Sequence, residues 1–220
     1  MELRHGYDAS LKELSDSILQ MSSMASSAMQ KAITAFETAD EQLAQQVIAG
    51  DENIDQMEKS IEHQCWILLL RQQPVASDLR SINCAMKMIT DIERIGDAAE
   101  DIAELSRHMG GSHPEELMNT IQTMAGCVKG MFEDAIEAYV KGDLEAAKAV
   151  IERDDEADEL FCVVRKLAIQ QIVAHNDQAD AAMNCFMAAK YLERVGDHAV
   201  NIAEWVEFSK TGVHKNRKIV

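Results

Sequence analysis

The sequence predicts an all-α protein, a tandem repeat of two three-helix bundles with six long antiparallel helices, and three observations carry that expectation. Ala, Met, Leu, Glu, Gln and Lys dominate, all strong helix formers, while aromatic residues make up 5% and prolines number 2. Capping and breaking residues gather at five places, far enough apart to leave long uninterrupted helical stretches. The third observation is that the two halves resemble one another.

The first helix is expected over 7–37 and ends at Thr38-Ala39-Asp40, whose Asp is a good N-cap for the next, over 40–72. Gln73-Pro74 opens a third helix over 75–108, and Gly110-Gly111-Ser112-His113-Pro114 separates it from a fourth over 114–140. Lys141-Gly142-Asp143 repeats the breaker-then-capper pattern before a fifth helix over 143–174, and His175-Asn176-Asp177 leads into a sixth over 177–209. Each is about 45 Å long at 1.5 Å per residue. Amphipathic helices of that length bury their apolar faces in bundles.

The repeat is specific. Glu93-Arg94-Ile95-Gly96-Asp97-Ala98-Ala99 returns 100 residues later as Glu193-Arg194-Val195-Gly196-Asp197-His198-Ala199, and Ile102-Ala103-Glu104 as Ile202-Ala203-Glu204. The preceding helix repeats at an offset of 103, with Phe36, Ala44, Val47, Ile48, Asp51 and Asp55 matching Tyr139, Ala147, Val150, Ile151, Asp154 and Asp158. We therefore divide the chain into a first bundle over 1–110, a second over 111–210 and a basic tail over 211–220 that is expected to be flexible. Whether the bundles stay apart or pack together is open at this level.

The repeated acids carry the chemistry. Glu93 and Asp97 are i,i+4 on one helix face, as are Glu193 and Asp197, and such like-charge pairs cost roughly 0.2–0.5 kcal/mol each. A hairpin folded at Pro74 sets Glu93 level with Asp55 and Asp97 level with Asp51 on the neighbouring helix. One folded between His175 and Asn176 does the same for Glu193 with Asp158 and Asp197 with Asp154. Four carboxylates at one height repel unless a cation sits among them, so each half is expected to hold a metal. Asp101 extends the first face by one further step, whereas the second half has Asn201 there, near His198 as a candidate nitrogen ligand. Oxygen-only ligands suit Mg, Ca or Mn, and bundle carboxylates also hold iron and zinc. The competing reading is a solvated polar seam in which Arg94 or Arg194 pairs with acids of a neighbouring helix.

Gly96 and Gly196 interrupt continuing apolar patterns mid-helix, which points to close approach by another helix. Met21, Met24, Met29, Met86 and Met88 read as core rather than as ligands, and His63 and His175 are given the same reading. The five cysteines form no Cys-x-x-Cys pair, which fits buried thiols in a reducing compartment. A net charge of −17 repels nucleic acid, and no apolar run is long enough to span a bilayer. The N-terminus carries no export signal, so a cytoplasmic location is expected. No phosphate loop, Gly-x-Ser-x-Gly, His-Glu-x-x-His or Cys/His nucleophile pairing occurs, so no enzyme template is matched.

Arg71-Gln72-Gln73-Pro74-Val75-Ala76-Ser77-Asp78-Leu79-Arg80, followed by the twofold Glu-Arg-x-Gly-Asp, closely resembles the signature of the PhoU family of phosphate-uptake regulators, and the resemblance covers essentially the whole chain. It implies an adaptor rather than an enzyme, one that accompanies a phosphate ABC transporter and dampens starvation signalling through a membrane sensor histidine kinase. It also implies a homodimer and multinuclear metal, iron or zinc first, with Mg, Mn, Ca or Ni as further candidates. Carried over by position, Glu93, Asp97 and Asp101 match the first motif run and Glu193 and Asp197 the second. Asp51, Asp55, Asp154 and Asp158 join them through the hairpin geometry. The alternative reading is a carboxylate-bridged metalloenzyme or metal-storage bundle. An accessory protein for a low-affinity phosphate carrier is disfavoured by the full Arg71 to Arg80 match.

Overall fold

A computed structural model describes residues 2–71, 75–107, 114–214 and 217–218. Seven α-helices are seen among them: α1 Glu2–Thr38, α2 Glu41–Arg71, α3 Ala76–Ser106, α4 Glu115–Lys141, α5 Leu144–Glu152, α6 Asp154–Ala174 and α7 Ala179–Thr211. The expected turns at Gln73-Pro74 and at Gly110 to His113 lie outside the described residues.

Two of the predicted boundaries are repeat equivalents and use the same local chemistry. Ala39 and Gly142 both take positive φ, 53° and 63°, which stops the preceding helix. The next residue then caps the following helix. Asp40 Oδ1 accepts from the backbone N–H of Gln42 and Leu43, and Asp143 Oδ1 from Glu145 and Ala146. The tip of the Lys210 side chain lies over Gly142 and would have to swing aside for a Cβ, so the positive φ is what favours glycine there.

One expected helix is segmented. The predicted 143–174 span breaks at Arg153, between α5 and α6, at a residue engaged in tertiary contacts. The Arg153 guanidinium reaches back to α4, bonding Asp134 at 2.6 Å and the Cys127 carbonyl at 3.3 Å. It passes over Gly130, where a Cβ would stand 3.0 Å from its Nη2.

α1, α2 and α3 form one three-helix bundle, and α4, α5–α6 and α7 form the other. The central helices α3 and α7 pack against each other and α1 touches α4, while α2 and α6 lie on the outer flanks. The two bundles therefore make one body with a continuous apolar core, running from Ile18, Met21 and Phe36 through Ile92 and Ile95 to Phe132, Leu192 and Ile202. α3 and α7 run antiparallel. Arg80 Nε and Cys84 Sγ donate to the Ser209 and Trp205 carbonyls at one end, and Arg194 approaches Asp101 at the other. Four of the five free cysteines are buried and Cys162 is half-buried. His63 and His175 are exposed, not core.

No helix among the described residues is long and apolar enough to cross a membrane. Past Gly212, where a flexible tail is expected, Val213–His214 pairs antiparallel with Arg217–Lys218. His214 stacks on Trp205 with ring centroids 3.8 Å apart, and Trp205 meets Phe208 edge-on at 5.6 Å.

Candidate metal centre

The outer face of the first bundle gathers the acids. One carboxylate oxygen from each of Asp51 and Asp55 on α2 and Asp97 on α3 lies within 4.8 Å of the other two. Around an ion with oxygens at about 2.4 Å, two ligands on opposite sides stand about 4.8 Å apart, so this set spans a single cation's shell. The set needs close helices. Gly96 provides them: a Cβ there would stand 3.0 Å from Ile54 Cδ1 and 3.2 Å from Asp51 Oδ1. The mid-helix glycine thus lets α2 bring Asp51 onto α3, the close approach expected from sequence.

Electrostatics mark the same place. Burial first, then the charges of Asp97, Asp55 and Asp101, push the Asp51 carboxyl up to about 6. Burial, then Asp97, with Glu58 and Asp55 adding and Arg94 opposing, pushes Glu93 up to about 7. Glu93 Oε2 is buried without a well-formed hydrogen bond, although Arg94 Nε stands 3.3 Å away. A buried carboxylate oxygen left so is costly, and a cation satisfies it. Two acids not singled out from sequence join the seam. Glu58 accepts from Thr90 Oγ1 at 3.1 Å, and Glu100 is raised by burial and by Asp51. Their i+3 spacing from Asp55 and Asp97 on the same helices is the signal that could have found them.

Asp101 is not in the three-acid set. It faces α7, where Arg194 Nη1 stands 4.0 Å away, and burial raises its carboxyl while Arg194 opposes. Arg94 stays on its own helix, bonding Asp97 at 2.7 Å. Arg80 Nε donates to the Ser209 carbonyl at 3.4 Å.

The second bundle places Asp154 and Asp158 of α6 beside Glu193 and Asp197 of α7. Burial, then Asp158 and Asp197, raises Asp154; burial, then Glu193, raises Asp197, with Lys190 and His198 opposing. These four form no matching ligand set among the described residues. The helices are also less tightly apposed, since a Cβ on Gly196 would find Val128 Cγ1 at 3.5 Å and Asp154 Oδ1 at 3.7 Å. His198 is not a free ligand: its Nδ1 lies 2.9 Å from Asp91 Oδ1, which also accepts from Asn201 at 3.2 Å. Asp91, absent from the sequence reading, thus ties α3 to α7.

The glycines give a paired prediction. Gly196→Ala is expected to raise stability by about 0.5–1 kcal/mol through helix propensity, because a methyl group fits at ordinary contact distance. Gly96→Ala is expected to forfeit that gain and to weaken metal binding, because its methyl pushes on Ile54 and Asp51. Thermal melts of both variants, with and without divalent cation, are the check.

Fold and site together define a class: an all-helical tandem-repeat protein with a carboxylate-rich seam on the flank of its first repeat. The family model for the PhoU domain matches twice, at residues 18–106 and 121–206. The chain belongs to the PhoU family. The phosphate-specific transport system accessory protein PhoU homolog of Clostridium acetobutylicum is 34% identical, over 94% of this chain and 94% of its own. The crystal structure of PhoU from Pseudomonas aeruginosa superposes with a TM-score of 0.90 at 31% identity, over 94% of this chain and 100% of that one. That of the phosphate transport system regulatory protein PhoU from Streptococcus pneumoniae gives 0.83 at 25%, over 94% and 98%.

Proposed function

We propose that this protein is an accessory regulator of phosphate uptake that works by contact with the cytoplasmic parts of a phosphate ABC transporter and with a membrane sensor histidine kinase. The observation that carries the reading is similarity to transport-system accessory proteins over nearly the full length of both chains, with both repeats matched. The packing of the two bundles into one acidic body supports it, because a rigid scaffold with faces on two related bundles suits an adaptor. A homodimer acting in the cytoplasm belongs to the same reading.

We further propose that Asp51, Asp55 and Asp97 hold a divalent cation, with Glu93 beside them. Such an ion neutralises the seam and fixes α2 against α3, and it supplies an electropositive point on an otherwise acidic surface. Iron or zinc leads among the candidates, with Mg, Mn, Ca or Ni as alternatives. A catalytic role for the metal is the lesser reading, since the relatives matched over nearly the whole chain are transport-system accessory proteins.

The regulatory reading is tested in a phosphate-replete strain that lacks its own copy of such a regulator. Expression of this chain is expected to restore repression of a starvation-induced phosphatase reporter and to co-purify the transporter ATPase. Unchanged reporter output at normal expression, with no transporter captured, refutes it.

A further inference from the structure

The two repeats match in their motif acids but not in the side chains set beside them. The residue one turn before the motif glutamate is Thr90 in the first repeat and Lys190 in the second. Thr90 hydroxyl donates to Glu58, adding a polar partner and no charge. Lys190 Nζ instead forms an ion pair with Glu193, and it lies 5.5 Å from the centre of the Phe161 ring. Phe161 is itself the repeat equivalent of Glu58, so an acid of the first seam is replaced in the second by a ring that seats the ammonium. Val200 and Asn201 likewise stand where Glu100 and Asp101 stand in the first repeat.

The first seam has cations of its own, held more loosely. Arg94 pairs with Glu93 and Asp97 from a half-exposed position, and Lys59 stands 3.8 Å from Asp55 with most of its side chain in solvent, so both can turn aside for an ion. Arg194, the repeat mate of Arg94, turns across the bundle interface toward Asp101, leaving Lys190 as the cation beside Glu193. The ligand set differs as well. Asp51, Asp55 and Asp97 converge under Gly96, whereas Asp154, Asp158 and Asp197 do not converge under the looser Gly196.

We propose that this chain takes a divalent cation in its first repeat alone and that Lys190 is a specificity-determining residue, a tethered ammonium standing in the second repeat for the ion. The proposal rests on the metal reading of the first seam and adds to it the inequivalence of the repeats and its cause. Lys190 is about half exposed, so replacing it leaves the core intact.

The test uses the full chain, stripped with chelator and titrated with zinc(II) by calorimetry, with elemental analysis of bound zinc after desalting. The wild type is expected to bind zinc in one class of sites. Asp97→Asn is expected to lower its affinity at least 10-fold, and Asp197→Asn to leave it unchanged. Lys190→Thr, which restores the first-repeat residue, and Lys190→Gln, which keeps the chain length without the charge, are expected to gain a second class and about double the zinc held. Adding Asp197→Asn to either removes that gain. Helicity by circular dichroism confirms that each variant is folded. Zinc lost from the wild type on Asp197→Asn, or no gain in either Lys190 variant, overturns the proposal while an Asp97→Asn loss still upholds the first site. A wild type that holds no zinc, or an Asp97→Asn variant that loses none, overturns the metal reading and this proposal with it.

Discussion

Replacing Asp51 with Asn is expected to stabilise the metal-free protein and to destabilise the metal-loaded one. In the absence of metal, burial and three neighbouring carboxylates disfavour the Asp51 charge, and removing it relieves that cost. The group is partly solvated, so the gain is discounted for screening to about 1 kcal/mol. For a chain of this size that corresponds to roughly 2–4 °C in melting temperature. With metal about 100-fold above its dissociation constant, binding adds about 2.7 kcal/mol, most of which the variant forgoes. Thermal melts with chelator and with metal should therefore move in opposite directions. Movement in the same direction in both would mean that Asp51 is a structural acid and no ligand.

The pH dependence of stability is expected to invert between the two forms. Asp51 is pushed up to about 6 and Glu93 up to about 7, against about 4 for the same groups in the unfolded chain. Between those values the folded protein holds protons that the unfolded chain has released. Stability therefore falls as pH rises from about 4 to about 7, and the metal-free protein melts higher at pH 5 than at pH 8. Metal reverses the sign, because the ligands bind it only as carboxylates and protons compete for them. Melting temperatures across that range, with and without chelator, give both slopes. Parallel curves would dissociate these acids from metal binding, and Glu93→Gln should flatten the metal-free curve.

Much of the candidate site was legible because a helical hairpin converts sequence distance into height. With a fixed rise per residue, the turn region near Pro74 and the motif at Glu93 and Asp97 suffice to set Asp51 and Asp55 opposite them. Asp51, Asp55 and Asp97 do converge. The further i,i+4 step adds Asp101 to the first run, and nearness to Asn201 makes His198 a candidate ligand, and for these two position along the helix is not enough. Which way a side chain turns depends on the helix packed against it. α7 draws Asp101 toward Arg194, and Asp91 of α3 engages His198.

The repeat, the helical class, the capped boundaries at Asp40 and Asp143 and the levels of the acids belong to the sequence itself. Each follows from interactions within a few residues or from a regular period. The tertiary structure alone decided that the two bundles share one core and that the fifth predicted helix breaks where Arg153 grips α4. It also decided that one seam closes under Gly96 while the other stays open. Those outcomes depend on which faces of different helices meet and which cation reaches which acid, choices made by packing between residues 19 to 110 positions apart in the chain.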